Sequence, residues 1–250
     1  MNGKWLLFAT LSVAFASMDA ARAAQPIGTA AIVENKVTGA AEDATAPVPL
    51  NRGDGLYQNE RVETAADSKA QLLFADQSAL SMAPNSTVVL DKFVYDPKPN
   101  VGTVVLDTVA GAFRFVGGTA DTVAGSSYMV KTPVGTIGIR GTLFEWEVTG
   151  DYLSAVLREG AVDICLANQA CVALTEPGTY VVTRGQHLSG IQRWSGPTSE
   201  AQRFVSHNAD QLYQQHINAV GSNSGQSGLT GSGSGSGSGG GHRCNSGFSC

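Results

Sequence analysis

Three kinds of residue in this 250-residue chain could do chemistry: four cysteines, four histidines and two close glutamates. Cys165 stands near Cys171 and Cys244 near Cys250, and neither pair has Cys-x-x-Cys spacing. An even cysteine count in a chain with an export-like start favours disulfides over catalytic thiols. Three connectivities are open, and the local one, Cys165 with Cys171 and Cys244 with Cys250, is expected. Closing the first loop is worth about 2 kcal/mol in the chain-entropy account. The second pair could form a small binding knob, or join His242 around a soft metal. Three ligands fall short of the four a zinc site normally uses, so no metal or other cofactor is expected.

His187, His207, His216 and His242 are scattered. No nucleophile elbow, paired-histidine zinc motif or phosphate-binding glycine loop accompanies them. Glu145 and Glu147 alternate with Phe144 and Trp146. Alternation along a strand puts the two sets on opposite faces, so the glutamates are expected on a solvated face. The tripeptide Arg52-Gly53-Asp54 reads as a turn. These residues predict a protein that is not an enzyme.

The elements that would position them are strands. Tyr128 to Val148 is rich in β-branched residues, carries Pro133, and is broken by Gly135, Gly138 and Gly141. Those residues suit a pleated surface and oppose a helix. Ile137 and Ile139 have one parity, whereas Phe144, Trp146 and Val148 have the other. One extra residue must be absorbed, and Gly141 is the expected bulge, turning the strand into a second layer. Arg140 is the single charge between Pro133 and Phe144. It either contacts a ligand or partner, or ties the corner to backbone carbonyls or an acidic side chain.

The run Lys131-Thr-Pro-Val-Gly-Thr-Ile-Gly-Ile-Arg-Gly-Thr-Leu-Phe144 closely resembles the signature of the FecR domain family. Thr132, Pro133, Gly138, Arg140, Gly141, Thr142 and Phe144 carry it, in a role read as structural. Looser echoes run from Gly28 to Gly190: Gly53-Asp54, the turn at Asp76-Gln77 where the family commonly has Asp-Gly, and Glu159-Gly160. The resemblance implies a periplasmic domain that recognises another envelope protein, as the family's regulators sense the signalling domain of a TonB-dependent transporter. It implies a stand-alone form, without the anti-sigma segment and membrane helix of those regulators.

Elsewhere the chain reads as short strands with turns every 8–12 residues, the pattern of a sandwich, barrel or solenoid. Expected strands include 28–36, 87–90, 93–95, 102–109, 111–116, 152–157 and 161–165, with a hairpin joining 70–74 to 78–82. Residues 1–23 read as a signal peptide, too short and wrongly flanked for a membrane span. The mature chain is therefore expected to be exported to the periplasm, or secreted or held at the cell surface, with no membrane span. Residues 24–195 form the β domain. Thr198 to Val220 has helical periodicity at Val205, Ala209, Leu212, Tyr213, His216, Ile217 and Val220, so 196–220 is expected to be an amphipathic helix. Residues 221–250 are mostly Gly and Ser and should be disordered.

The fold class expected is thus all-β, with stacked antiparallel strands in a solenoid-like or sandwich arrangement, one C-terminal helix and a disordered tail. A net charge of −5, with no basic patch, argues against nucleic acid and anionic lipid as partners. A protein of the cell envelope is the expected partner. The alternative is a glycan or cell-wall polymer held by exposed aromatics, for which Tyr95, Tyr128 and Trp194 are the candidates.

Overall fold

A computed structural model describes residues 25–197, with Ser199 and Arg203. Among them are the strands β1 (Gly28–Glu34), β2 (Val37–Ala40), β3 (Val48–Pro49), β4 (Gly55–Leu56), β5 (Arg61–Thr64), β6 (Lys69–Phe74), β7 (Ala79–Met82) and β8 (Thr87–Asp96). There follow β9 (Val101–Val116), β10 (Ser127–Thr132), β11 (Gly135–Thr149), β12 (Tyr152–Leu166), β13 (Cys171–Leu174), β14 (Thr179–Arg184), β15 (His187–Leu188) and β16 (Gln192–Arg193). All sixteen join one mixed sheet. The expected signal peptide (1–23) and tail (221–250), with Cys244 and Cys250, lie outside the described residues, as does nearly all of the expected helix (196–220).

The sheet follows two runs that share three long strands. In one run β5 pairs β8, which pairs the first half of β9; β10, the first half of β11, the second half of β12 and β13 follow. In the other, β1, β6 and β7 lead to the second half of β9, then the second half of β11, the first half of β12 and β14. Side chains from the two runs meet in one core. Phe74 of β6 stacks on Phe93 of β8 at 5.6 Å, and Trp146 of β11 donates its indole N–H to Thr108 Oγ1 of β9 at 3.3 Å. Phe113 and Phe144 both stack against Trp146, with centroids 5.1 and 4.6 Å away.

Glycines in left-handed conformations let strands pass between the runs without ending. Gly111 has φ +114°, Gly141 +58° and Gly160 +77°. One register shift spans Gly141, between Arg140 and Leu143, and a second follows between Leu143 and Phe144, so the expected bulge is where the parity argument put it. Both parities, Ile137 and Ile139 on one side and Phe144, Trp146 and Val148 on the other, are buried in the core.

The same devices correct the expected boundaries. Residues 102–109 and 111–116 form one strand, as do 87–90 with 93–95 and 152–157 with 161–165. A bulge takes up a residue while the ladder continues on either side, so a glycine in a strand pattern need not end it. A second correction concerns strand direction: β10 runs parallel to β9, with Val130 opposite Leu106. The loop after β9 returns the chain to that strand's beginning instead of reversing it beside its end.

The hairpin β6–β7 forms as expected, with Leu72 opposite Leu80. Exposed Gln77 occupies the glycine-like place in its turn, at φ +69°. A non-glycine residue there carries a steric penalty of about 1 kcal/mol. Gln77→Gly should therefore raise stability, by about 0.5 kcal/mol once the extra freedom of the unfolded chain is subtracted. Thermal melting of the two proteins checks this.

Before β5, Glu60 is buried and accepts the Tyr57 N–H at 2.9 Å. Burial raises its carboxyl above the ordinary value of 4.5, opposed by that hydrogen bond and aided by Asp54. The folded state thus holds this proton more tightly than the unfolded state. Its contribution to stability is complete below pH 4.5 and is lost as pH climbs through the raised value. Glu60→Gln keeps the acceptor oxygen. It should be more stable than the parent at neutral pH, and the gap should close in acid; denaturant melts from pH 3.5 to 7.5 would show it.

Candidate functional site

The signature divides into a turn, a bulge and a core anchor. Thr132 Oγ1 accepts the N–H groups of Val134 and Gly135, at 3.3 and 3.2 Å, and donates to the Gly135 carbonyl at 3.0 Å. Pro133 supplies the fixed φ within this turn between β10 and β11. Gly135 is needed for space, because a Cβ there would lie 2.2 Å from the Cys165 carbonyl oxygen. Phe144 is fully buried between Trp146 and Phe115.

Gly141 and Gly160 form the bulge together. A Cβ on Gly160 would meet the Gly141 carbonyl oxygen at 2.0 Å. Thr142 then ties the bulge to the loop after β9. Its N–H donates to Asp121 Oδ2 at 3.3 Å, and its carbonyl accepts the Gly117 N–H at 2.9 Å. Asp121 lies in a partly buried setting, and desolvation raises its carboxyl above the ordinary value against the pull of the Thr142 N–H.

Gly138 is different. The nearest atoms to a Cβ there are 3.9 Å away, and the residue lies on the outer face of β11. Arg140, on that same face, is not inside the apolar core as its sequence neighbours implied. Its side chain is 72% exposed and pairs with Asp163 of β12. Of the readings left open, a pairing with an acidic side chain is what the structure shows.

The glutamates require a larger correction. Glu145 is 0% exposed. Its Oε1 lies 3.4 Å from Arg114 Nη1 on β9, and its Oε2 lies 2.9 Å from Arg158 Nη2 on β12. Arg158 in turn has its guanidinium carbon 3.6 Å from the ring centroid of Trp194. Glu147 accepts a hydrogen bond from Ser199 Oγ at 2.6 Å. Strand alternation does point these side chains away from the aromatic core, but that outer face is itself covered. Arg114 was missed altogether. The available signal was its place between Phe113 and Phe115, matching that of Glu145 between Phe144 and Trp146.

The aromatics named for glycan binding are engaged within the fold. Tyr128 is buried, and its hydroxyl donates to Asp76 Oδ2 at 2.5 Å. Burial, and then that hydrogen bond, push the phenol far above its ordinary range. Tyr95 donates to Asn100 Oδ1 at 3.0 Å, and Trp194 lies against Arg158. Arg52-Gly53-Asp54 is a turn whose Asp54 accepts the Asn51 N–H at 2.7 Å.

Cys165 and Cys171 are bonded and face each other across β12 and β13. Beside this staple is a shallow cleft of about 520 Å³, lined by Val109, Lys131, Pro133, Thr136 and Leu166 among others. Val109 is 39% exposed. Lys131 pairs with Asp91 at 2.6 Å, which raises its ammonium above the ordinary value. Strand β13 has only β12 as a ladder partner among the described residues, so its outer edge offers backbone groups. The chemistry available here is hydrogen bonding to an extended segment, next to an apolar recess. Among the described residues, no helix is long and apolar enough to cross a membrane.

Residues 60–163, from just before β5 into β12, match the family described as FecR protein. No curated protein matches the chain. Two crystal structures of a "putative anti-sigma factor" from Parabacteroides distasonis ATCC 8503 align at 11% identity with a TM-score of 0.44, over 58% of this chain. The aligned part is 62% of that protein, less than two thirds of its length.

Proposed function

We propose that this FecR-domain chain is a non-enzymatic recognition module of the cell envelope that binds another protein through the β13 edge and the neighbouring cleft. The observation that carries the reading is the position of that cleft. It is built by the signature's own turn, Thr132 to Thr136, and reaches Cys165, which is bonded to Cys171 at the start of β13. A partner segment in extended form would add to β13 through main-chain hydrogen bonds, and a separate part of the partner would place an apolar side chain beside Val109 and Leu166. The remaining signature residues hold the framework: Gly141 and Thr142 set the bend, and Phe144 anchors it.

The partner class favoured by the resemblance is the signalling domain of a TonB-dependent transporter. The compartment proposed with it is the periplasm, reached through residues 1–23.

The test is calorimetric titration of the purified chain with signalling domains from transporters of the same organism. Val109→Asp should weaken binding at least tenfold without changing the melting temperature, because Val109 is exposed on the cleft wall. Proline at Val172 or Ala173, whichever N–H points outward, should do the same. Binding that survives both changes would refute the proposed surface. Co-sedimentation with purified cell wall, and with no signalling domain, would refute the protein-binding reading.

A further inference from the structure

The cleft beside the Thr132–Thr136 turn combines apolar groups, Val109, Pro133 and Leu166, with the charged side chains of Asp107 and Lys131. One row across the sheet runs through it. Asp107 of β9 stands opposite Lys131 of β10, Lys131 opposite Thr136 of β11, Thr136 opposite Cys165 of β12, and Cys165 opposite Cys171 of β13. The Thr132 hydroxyl is occupied within the turn, and Thr136 is neutral. Discrimination by charge at this surface therefore falls to Asp107 and Lys131.

Their register would let the two pair with each other. The Lys131 ammonium instead reaches across β9 to Asp91 of β8, at 2.6 Å. Among the described residues, Asp107 is left with no hydrogen bond or ion pair to its carboxylate. One ammonium against two carboxylates leaves one negative charge in excess. Asp107 is also half-buried, and a charge partly withdrawn from water attracts an incoming opposite charge more strongly than an exposed one. An acidic group entering the cleft would meet the reverse situation: it would have to displace Asp91 from Lys131 and then lie beside Asp107.

We propose that the part of the partner entering this cleft carries a lysine or arginine directly beside an apolar side chain, with the cation on Asp107 and the apolar group on Val109 and Leu166. The inference rests on the reading of the cleft as a docking surface and adds the chemistry of its occupant. A cleft of about 520 Å³ has room for both side chains, since sites for whole small ligands measure about 300–1,000 Å³. Four strand spacings, about 19 Å, separate Asp107 from Cys171. The cation therefore comes from a different part of the partner than the strand added at β13. The net charge of −5 on the whole chain favours a partner surface of the same basic sign.

A phage-displayed library of random peptide loops, selected on the immobilised full chain, tests this. Loops whose binding is lost in Val109→Asp occupy the cleft, and they should carry Lys or Arg next to an apolar residue. Asp107→Asn keeps the side chain's shape and removes no hydrogen bond or ion pair, so the melting temperature should not change. It should weaken these loops about fivefold, the effect of losing one partly exposed ion pair. Asp107→Lys should weaken them further, and changing the loop's basic residue to Glu should restore binding to Asp107→Lys. Lys131→Met keeps the stem of the side chain and should not weaken them. Cleft-binding loops that are acidic or uncharged, that bind Asp107→Asn as tightly as the parent, or that are weakened by Lys131→Met would overturn the inference while leaving the cleft a docking surface. A selection that yields no loop sensitive to Val109→Asp would overturn the inference and the docking surface together.

Discussion

Replacing Glu145 with alanine should destabilise the fold by about 3–5 kcal/mol, the usual cost of leaving buried charges without their counterion. The carboxylate is fully buried and serves two guanidiniums, so its removal takes a counterion from both Arg114 and Arg158. Neither guanidinium can swing freely into water, because Arg114 is itself buried and Arg158 is held against Trp194. Glu145→Gln should recover part of the loss, since the amide oxygen still accepts one of the two bonds. A triple change, Arg114→Met with Glu145→Leu and Arg158→Met, should lie much closer to the parent, because hydrophobic replacement of a whole buried cluster is often near neutral. Urea melts of the four proteins decide the matter. A single alanine change that costs under about 1 kcal/mol would place the carboxylate in effective contact with water.

Gly160→Ala should be the most damaging single-methyl addition in the signature region, with a loss of at least about 3 kcal/mol or failure to fold. Two penalties combine. Its φ of +77° disfavours any side chain, and the new Cβ would sit 2.0 Å from the Gly141 carbonyl oxygen, which is backbone and cannot rotate away. To make room, β11 and β12 would have to separate at the bend, and the shared core of both runs depends on that bend. Gly138→Val is the contrast. Its Cβ has 3.9 Å of clearance, and valine is favoured over glycine in strands, so its stability should be unchanged or raised by up to about 1 kcal/mol. Solubility and melting temperature separate the two cases directly. Equal tolerance at both positions would show that the bend does not require the close approach seen between the strands.

Much of the framework was legible along the chain. The parity change between Ile139 and Phe144 required a bulge, and a left-handed glycine is the cheapest residue for one, so Gly141 could be named. The hairpin at Asp76-Gln77 and the local disulfide were legible because both are short-range: the groups that meet are only a few residues apart. What could not be read was which distant bulges align. Gly160 lies opposite Gly141 only because β11 and β12 pair antiparallel in one register. Nor could the parallel pairing of β9 with β10 be read, since strand direction depends on the path of the loop between them.

Residue order alone dictates that residues 28–193 are built of strands, where glycines bend them, and which side chains share a strand face. Alternation separates two faces but carries no information on whether one or both are covered. Glu145 therefore read as solvated, and only the tertiary structure put it at the centre of a buried ion cluster with Arg114 and Arg158, residues brought together from three strands. The same limit applies to Arg140, which looked buried among apolar neighbours and stands in solvent beside Asp163. Burial depends on everything that packs against a face, including segments far away along the chain, and the local pattern around a residue records only its own strand.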